Sequence, residues 1–142
     1  MRILDVNLLL YAIDEESPKH GPARTFLDAA MRDDATIGLP WAVVTAFLRL
    51  TTNPRIFRAP LTVDQAITVV DTWLARPNVA LLDAGPEHWT ILRELLRTDG
   101  TAANRVSDAH LAAMAIERGA ELCSADADFA RYPRLRWTNP LA

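Results

Sequence analysis

Several aspartates of this chain fall where a carboxylate is costly, and that placement suggests its chemistry. In Arg2-Ile3-Leu4-Asp5-Val6-Asn7 a short apolar run stops at Asp5; in Leu122-Cys123-Ser124-Ala125-Asp126-Ala127-Asp128-Phe129 another stops near Asp126, with Asp128 two residues on. A charge beside apolar core is unfavourable unless something pairs with it. Two such charges, each after a strand-like run, point to a shared partner, and a hard cation such as Mg²⁺ is the simplest. Asp108, in Arg105-Val106-Ser107-Asp108-Ala109-His110, precedes a third apolar stretch containing Leu111, Ala112, Met114, Ala115 and Ile116.

Each acid also has an ordinary structural use. Asp108 could simply offset the dipole at a helix start. Asp126 could be an N-cap, with Asp128 a first-turn charge behind it. The three segments together favour a metal site: Asp5, Asp108 and Asp126 as ligands, and Asp128 as a fourth catalytic carboxylate. Asn7 and Ser124 adjoin the acids and are expected to orient them by hydrogen bonds. An oxygen-only set without a His or Cys cluster selects Mg²⁺ or Mn²⁺ over Zn²⁺. Such ions keep bound waters and contact phosphates, which suits phosphodiester hydrolysis. His110 lies two residues past Asp108, about 200° around a helix, and is expected to face away from the acids. His20 and His88, near helix starts, are expected to be exposed.

The elements that must position these residues alternate. Residues 2–6 read as a buried strand, and 7–14 turn helical. Residues 18–32 carry Ala23, Phe26, Leu27, Ala30 and Met31 at helical spacing. Residues 36–39 form a short strand, with Pro40 in the first turn of a helix reaching about Thr51. Thr62 with Gln65 matches a capping box for a helix to about Ala75; its stripe of Ala66, Ile67, Val70, Trp73 and Leu74 packs internally or against a partner. Residues 79–82 read as a strand. Pro86 opens a helix ending near Gly100, and 106–118 form another, stopped by Gly119. Residues 121–124 read as a strand, a short helix begins near Asp126, and 135–138 add an edge strand. This alternation predicts an α/β fold: a three-layer α/β/α sandwich on a mainly parallel sheet, as one domain over 1–142. Ligands of such sheets bind outside the carboxyl ends of the strands, which would bring Asp5 and Asp126 to one site.

Composition excludes several classes. Half of the residues are hydrophobic and 23% are charged, so the chain should fold rather than stay disordered. No apolar run is long enough to span a bilayer, and no secretory leader is evident. Cys123 is the only cysteine, which precludes an internal disulfide and fits a cytoplasmic location; mid-strand, it reads as a small buried hydrophobe. A net charge of −3 argues against broad attraction to nucleic acid and for a confined basic patch. Arg49, Arg55 and Arg58, near Phe57, form one candidate for contacts to RNA phosphates and unstacked bases. Trp41, Trp73, Trp89 and Trp137 read as core or interface anchors. Asp14-Glu15-Glu16 reads as a solvated turn.

The segments Ile3-Leu4-Asp5-Val6-Asn7, Val106-Ser107-Asp108-Ala109-His110-Leu111-Ala112 and Ser124-Ala125-Asp126-Ala127-Asp128-Phe129, in this order and spacing, resemble the PIN-domain ribonucleases. Leu39-Pro40-Trp41-Ala42, Phe47-Leu48-Arg49 and Thr52-Asn53-Pro54-Arg55 look more closely like the VapC toxins of type II toxin–antitoxin modules. The resemblance implies a Mg²⁺- or Mn²⁺-dependent endoribonuclease acting on tRNA or rRNA, homodimerisation, and neutralisation by a cognate VapB-type antitoxin. One position departs from it. The family places a glutamate in the helix after the second strand, and the matching residue here is Ala46. Asp14, Asp83 and Asp99 are the acids on other elements left to compensate. A site one carboxylate short leaves a second reading, a catalytically weak module that binds RNA or antitoxin. Phosphatases of the haloacid-dehalogenase type need a second aspartate where Asn7 stands and a later lysine; Lys19 is the only lysine, which also argues against a receiver domain.

Overall fold

The computed structural model describes residues 1–100 and 103–142. Its elements follow the expected alternation: β1 (Arg2–Leu4), α1 (Val6–Ile13), α2 (His20–Arg32), β2 (Ile37–Pro40), α3 (Trp41–Thr51), α4 (Val63–Leu74), β3 (Val79–Leu82), α5 (His88–Asp99), α6 (Arg105–Arg118), β4 (Glu121–Cys123), a 3₁₀ turn (Ala127–Arg131) and β5 (Arg136–Thr138). The five strands form one sheet in the order β3-β2-β1-β4-β5, and every pairing is parallel.

Local chemistry accounts for the element ends. Asp5 is not strand but the N-cap of α1, its carboxylate accepting from the Val6 amide, so β1 stops at Leu4 instead of reaching residue 6. Pro40 closes β2 rather than entering the helix; with no N–H to donate, it suits this last strand position. The α2 helix starts at His20, after a turn in which the His20 amide donates to the Ser17 carbonyl. Thr62 and Gln65 form the reciprocal capping box at α4. Gly100 and Gly119 end α5 and α6 in the left-handed conformation that glycine adopts without Cβ strain.

The chain runs from β1 outward through β2 to β3, then returns across the sheet to β4 beside β1. Parallel crossovers are right-handed, so this reversal places α5 and α6 on the face opposite α1 to α4. The helix contacts agree, with α1 packed on α2 and α3, α3 on α4, and α5 on α6. Ile3, Leu4, Ile37, Leu39 and Leu122 form the fully buried centre, joined by Leu8 and Phe47 from one layer and Met114 from the other. Phe47 meets Trp73 edge-on, with ring centroids 4.8 Å apart. Ile67, assigned to the apolar stripe of α4, is exposed, whereas Ala66, Val70 and Trp73 are buried and Leu74 packs partly against the core. Trp41 and Trp89 are also exposed, whereas Trp137 donates its Nε1–H to the Ser124 carbonyl at 3.0 Å. Cys123 is buried, and burial pushes its thiol up to about 12. The order reversal falls between β1 and β4, where an open parallel sheet leaves a crevice.

Candidate metal centre and active site

Asp5 and Ser124 follow directly on β1 and β4, adjacent parallel strands, so the two strand ends meet. The Asp5 amide donates to the Cys123 carbonyl at 3.0 Å and extends their pairing by one step. Asp5 Oδ1 accepts from the Val6 amide at 2.7 Å; Oδ2 accepts from Ser124 Oγ at 2.7 Å and Asn7 Nδ2 at 3.2 Å. Asn7 reaches across as well, donating to Ser124 Oγ at 3.1 Å and accepting from the Ala125 amide at 3.3 Å. Ser124 Oγ in turn accepts from the Asp126 amide at 3.0 Å. Asn7 and Ser124 thus have the orienting contacts expected of them. Ser124 is fully buried, so its hydroxyl works without competition from water.

Asp126 caps the 3₁₀ turn by accepting from the Asp128 amide at 2.9 Å. This N-cap use leaves the rest of the carboxylate free. One carboxylate oxygen each from Asp108, Asp126 and Asp128 lies within 4.8 Å of the other two. The acids that converge most closely are therefore this trio. Asp5 stands beside it, its oxygens engaged by Val6, Asn7 and Ser124. Burial raises the Asp5 pKa; the Ser124 and Val6 hydrogen bonds oppose that rise, and the Asp126 charge adds to it. Burial likewise raises the Asp108 pKa, with Asp126, Asp5 and Asp128 adding repulsion and Arg131 opposing it. A carboxylate cluster in which the charged forms of Asp5 and Asp108 are disfavoured, with oxygen as its only donor, fits a hard divalent cation.

Arg131 is the counter-charge that the sequence reading missed. It donates from Nε to the Asp128 carbonyl at 3.0 Å, and its other nitrogens lie 3.5 Å from Asp128 Oδ1 and 3.5 Å from Asp99 Oδ2. Asp99 is held again by Arg105 at 2.9 Å. Asp99 is thus occupied by two arginines rather than aimed at the trio. The other two candidate substitutes are also elsewhere. Asp14 caps the turn after α1, as expected of a local turn residue, and lines a different cavity with Arg58. Asp83 is exposed, and its carbonyl accepts from Arg118.

A cavity of about 470 Å³ opens beside the acids, between the start of α1, α3, α5 and α6. Asp5, Asp108, Ser107 and Arg49 give it a polar side; Val43, Leu50, Leu92 and Leu111 give it an apolar one. Ala46 lines this cavity, so the position where the resemblance expects glutamate does face the acids, with a methyl group in place of a carboxylate. Of the three arginines proposed for RNA, only Arg49 reaches the cavity. Arg58 pairs with Glu16 at 3.4 Å, and Arg55 is exposed in the turn after α3.

The histidines differ from expectation. His88 is buried rather than exposed, and its Nε2 lies 2.9 Å from His110 Nδ1. His110 lines the same cavity as Asp108, because a recess this wide takes in more than one side of α6. His20 is half-buried, its Nδ1 3.0 Å from the Tyr11 carbonyl. Burial lowers the pKa of His88 and of His110. No sequence signal joins His88 to His110, which sit on different helices; Arg131, three residues past Asp128, could have been found from that spacing.

Comparison with known proteins adds an independent line. The model of the PIN domain family matches residues 2–135. Ribonuclease VapC37 of Mycobacterium tuberculosis is 42% identical over 142 residues, covering all of this chain and 99% of the relative. Ribonuclease VapC33 of the same species is 44% identical over 141 residues, covering 99% of each. Among solved structures, the VapBC2 complex of Rickettsia felis, bound to a DNA fragment from its promoter, aligns with a TM-score of 0.70 at 20% identity over 97% of both chains. The Mycobacterium tuberculosis toxin VapC20, described as cleaving the sarcin-ricin loop, aligns with a TM-score of 0.69 at 15% identity over 96% of this chain and 99% of the other. With its sheet order, its acids gathered past β1 and β4, and these relatives along its whole length, the chain belongs to the PIN domain family, among the VapC ribonucleases.

Proposed function

We propose that this protein is the toxin of a type II toxin–antitoxin module: an endoribonuclease that hydrolyses RNA phosphodiester bonds with Mg²⁺ or Mn²⁺. In this reading it acts in the cytoplasm as a homodimer, takes tRNA or rRNA as substrate, and is neutralised by a VapB-type antitoxin. The observation that carries the reading is the convergence of Asp108, Asp126 and Asp128 beside Asp5 at the strand ends.

Asp108, Asp126 and Asp128 would hold the ion, with Asp5 at its margin. A divalent cation bound there supplies an activated water and neutralises charge developing on phosphoryl oxygens. The protein's own groups do the remaining work. Ser124 and Asn7 fix the direction of the Asp5 carboxylate, and Asp126 is fixed by its cap to the Asp128 amide. Arg131 offsets part of the negative charge and ties down the Asp128 segment. Arg49, on the cavity rim, suits a phosphate of the strand being cut.

Ala46 favours one second reading, a catalytically weak module that binds RNA or antitoxin. Purified protein incubated with total RNA in Mn²⁺, with and without EDTA, separates the two. Cleavage that EDTA stops and Asp126→Asn abolishes supports the nuclease; binding without cleavage under any divalent ion supports the module.

A further inference from the structure

We infer that the recess walled by Ala46 is a nucleobase subsite, taking one unstacked base of the RNA strand next to the phosphate held at the acids. The inference rests on the ribonuclease reading for its substrate class.

Three observations carry it. The first is size and position. The recess measures about 470 Å³, within the roughly 300–1,000 Å³ range of small-ligand pockets, and Asp5 and Asp108 belong to its wall. A nucleotide with its phosphate at the acids therefore has its own base within reach of this space. The second is the lining. Val43, Leu50, Leu92 and Leu111 present apolar surface that suits the faces of a base, and Arg49 adds a planar guanidinium, a group on which unstacked bases stack. A glutamate at position 46 would put a charged group into this space; alanine leaves it open.

The third observation concerns the polar edge. Among the described residues, His88 Nδ1 is buried and has no hydrogen-bond partner. A buried N–H without a partner is costly, so the proton of neutral His88 belongs on Nε2. His88 Nε2–H then donates to His110 Nδ1, 2.9 Å away, which fixes the His110 proton on its Nε2. His88 is thus a positioning residue: it leaves His110, which lines the recess, with its Nε2–H as the donor. With Arg49 and the Ser107 hydroxyl, the recess carries donors suited to the carbonyl and ring-nitrogen acceptors of a base.

The test uses binding, so it stands whether or not the protein cuts RNA. The probe is a hexamer of ribose phosphates with no bases, compared with the same hexamer carrying one 2-aminopurine. Affinities are measured by anisotropy in Mg²⁺ with the wild-type protein, and a denaturing gel of the same samples checks that the hexamers are intact. The single base should tighten binding about ten-fold and its fluorescence should be quenched, as expected for one stacked base. Adding Ala46→Leu, which fills the recess without charge, should abolish the gain while leaving the base-free hexamer bound as before. Arg49→Gln, on the exposed rim, is the second variant should the leucine fail to fold; because Arg49 also faces the phosphate it should weaken the base-free hexamer too, so the readout is the ratio of the two affinities, which should fall together with the quenching. An equal gain with and without the recess-filling change overturns the inference. So does a result in which Ala46→Leu leaves RNA binding intact but loses a co-expressed antitoxin, which would assign the recess to protein. Failure to cleave any RNA would refute the ribonuclease reading alone, since the affinities decide the subsite separately.

Discussion

Ser124 Oγ lies 2.7 Å from Asp5 Oδ2, a hydrogen bond between residues 119 positions apart that joins the ends of two neighbouring strands. The same hydroxyl accepts from the Asp126 amide and from Asn7. One buried oxygen therefore sets the positions of acids from opposite ends of the chain. Ser124→Ala would leave a buried carboxylate and an amide short of a partner, at about 1–3 kcal/mol. Urea unfolding should show that loss, and RNA cleavage should fall with it. Unchanged stability would mean that the hydroxyl does not join the two strand ends.

The acids repel one another when no cation is present. The Asp108 pKa is raised in the fold, so its ionised form is less favourable there than in the unfolded chain. Above that pKa the ionised group opposes folding; as pH falls through it, protonation relieves the opposition. Asp108→Asn should therefore raise the melting temperature in EDTA at neutral pH, on the order of a few degrees. It should also remove the stabilisation that Mn²⁺ gives the wild type by mass action. Lower stability in EDTA, or a retained Mn²⁺ shift, would contradict the shared site.

Arg131 should matter without touching substrate. Replacing it by Gln frees the Asp128 segment and leaves Asp99 with Arg105 alone. Partners that support metal ligands are typically worth 10–100-fold in affinity, so Mn²⁺ binding by calorimetry should weaken about ten-fold. An unchanged affinity would make the arginine a purely structural link.

The histidine pair predicts an acid limb to stability. His88 and His110 both have pKa values below their ordinary 6.5 in the fold. Between those lowered values and 6.5 the unfolded chain binds protons that the folded chain excludes. Stability is then full above pH 6.5, falls below it, and levels off once the folded imidazoles also protonate. Urea midpoints measured from about pH 8 to pH 5 should follow this course, and His88→Phe should flatten it. A midpoint independent of pH across that window would be the contrary result.

Ala46→Glu restores a carboxylate to a wall that already faces the acids. Calorimetry should show tighter Mn²⁺ binding or a second equivalent of the ion, and cleavage at low Mn²⁺ should rise several-fold if a missing ligand limits the rate. No change in either would place this wall too far from the ion to matter.

Much of this architecture was legible in the sequence, because local rules govern it. Alternating strand and helix periods, the Thr62–Gln65 capping box, and glycines at 100 and 119 act within a few residues of themselves, and the structure has each of them. Carboxylates at or just past the ends of apolar strands marked Asp5 and Asp126, since such positions are unfavourable without a partner. The parallel sheet implied that their carboxyl ends would meet. Only the tertiary structure decided which oxygens converge, because that depends on strand register and helix packing. It grouped Asp128 with Asp108 and Asp126, engaged Asp5 with Ser124 and Asn7, and turned Asp99 to two arginines. It also buried His88 against His110 and left Ala46 facing an open recess. Those relations lie between side chains distant in sequence, where no periodicity runs.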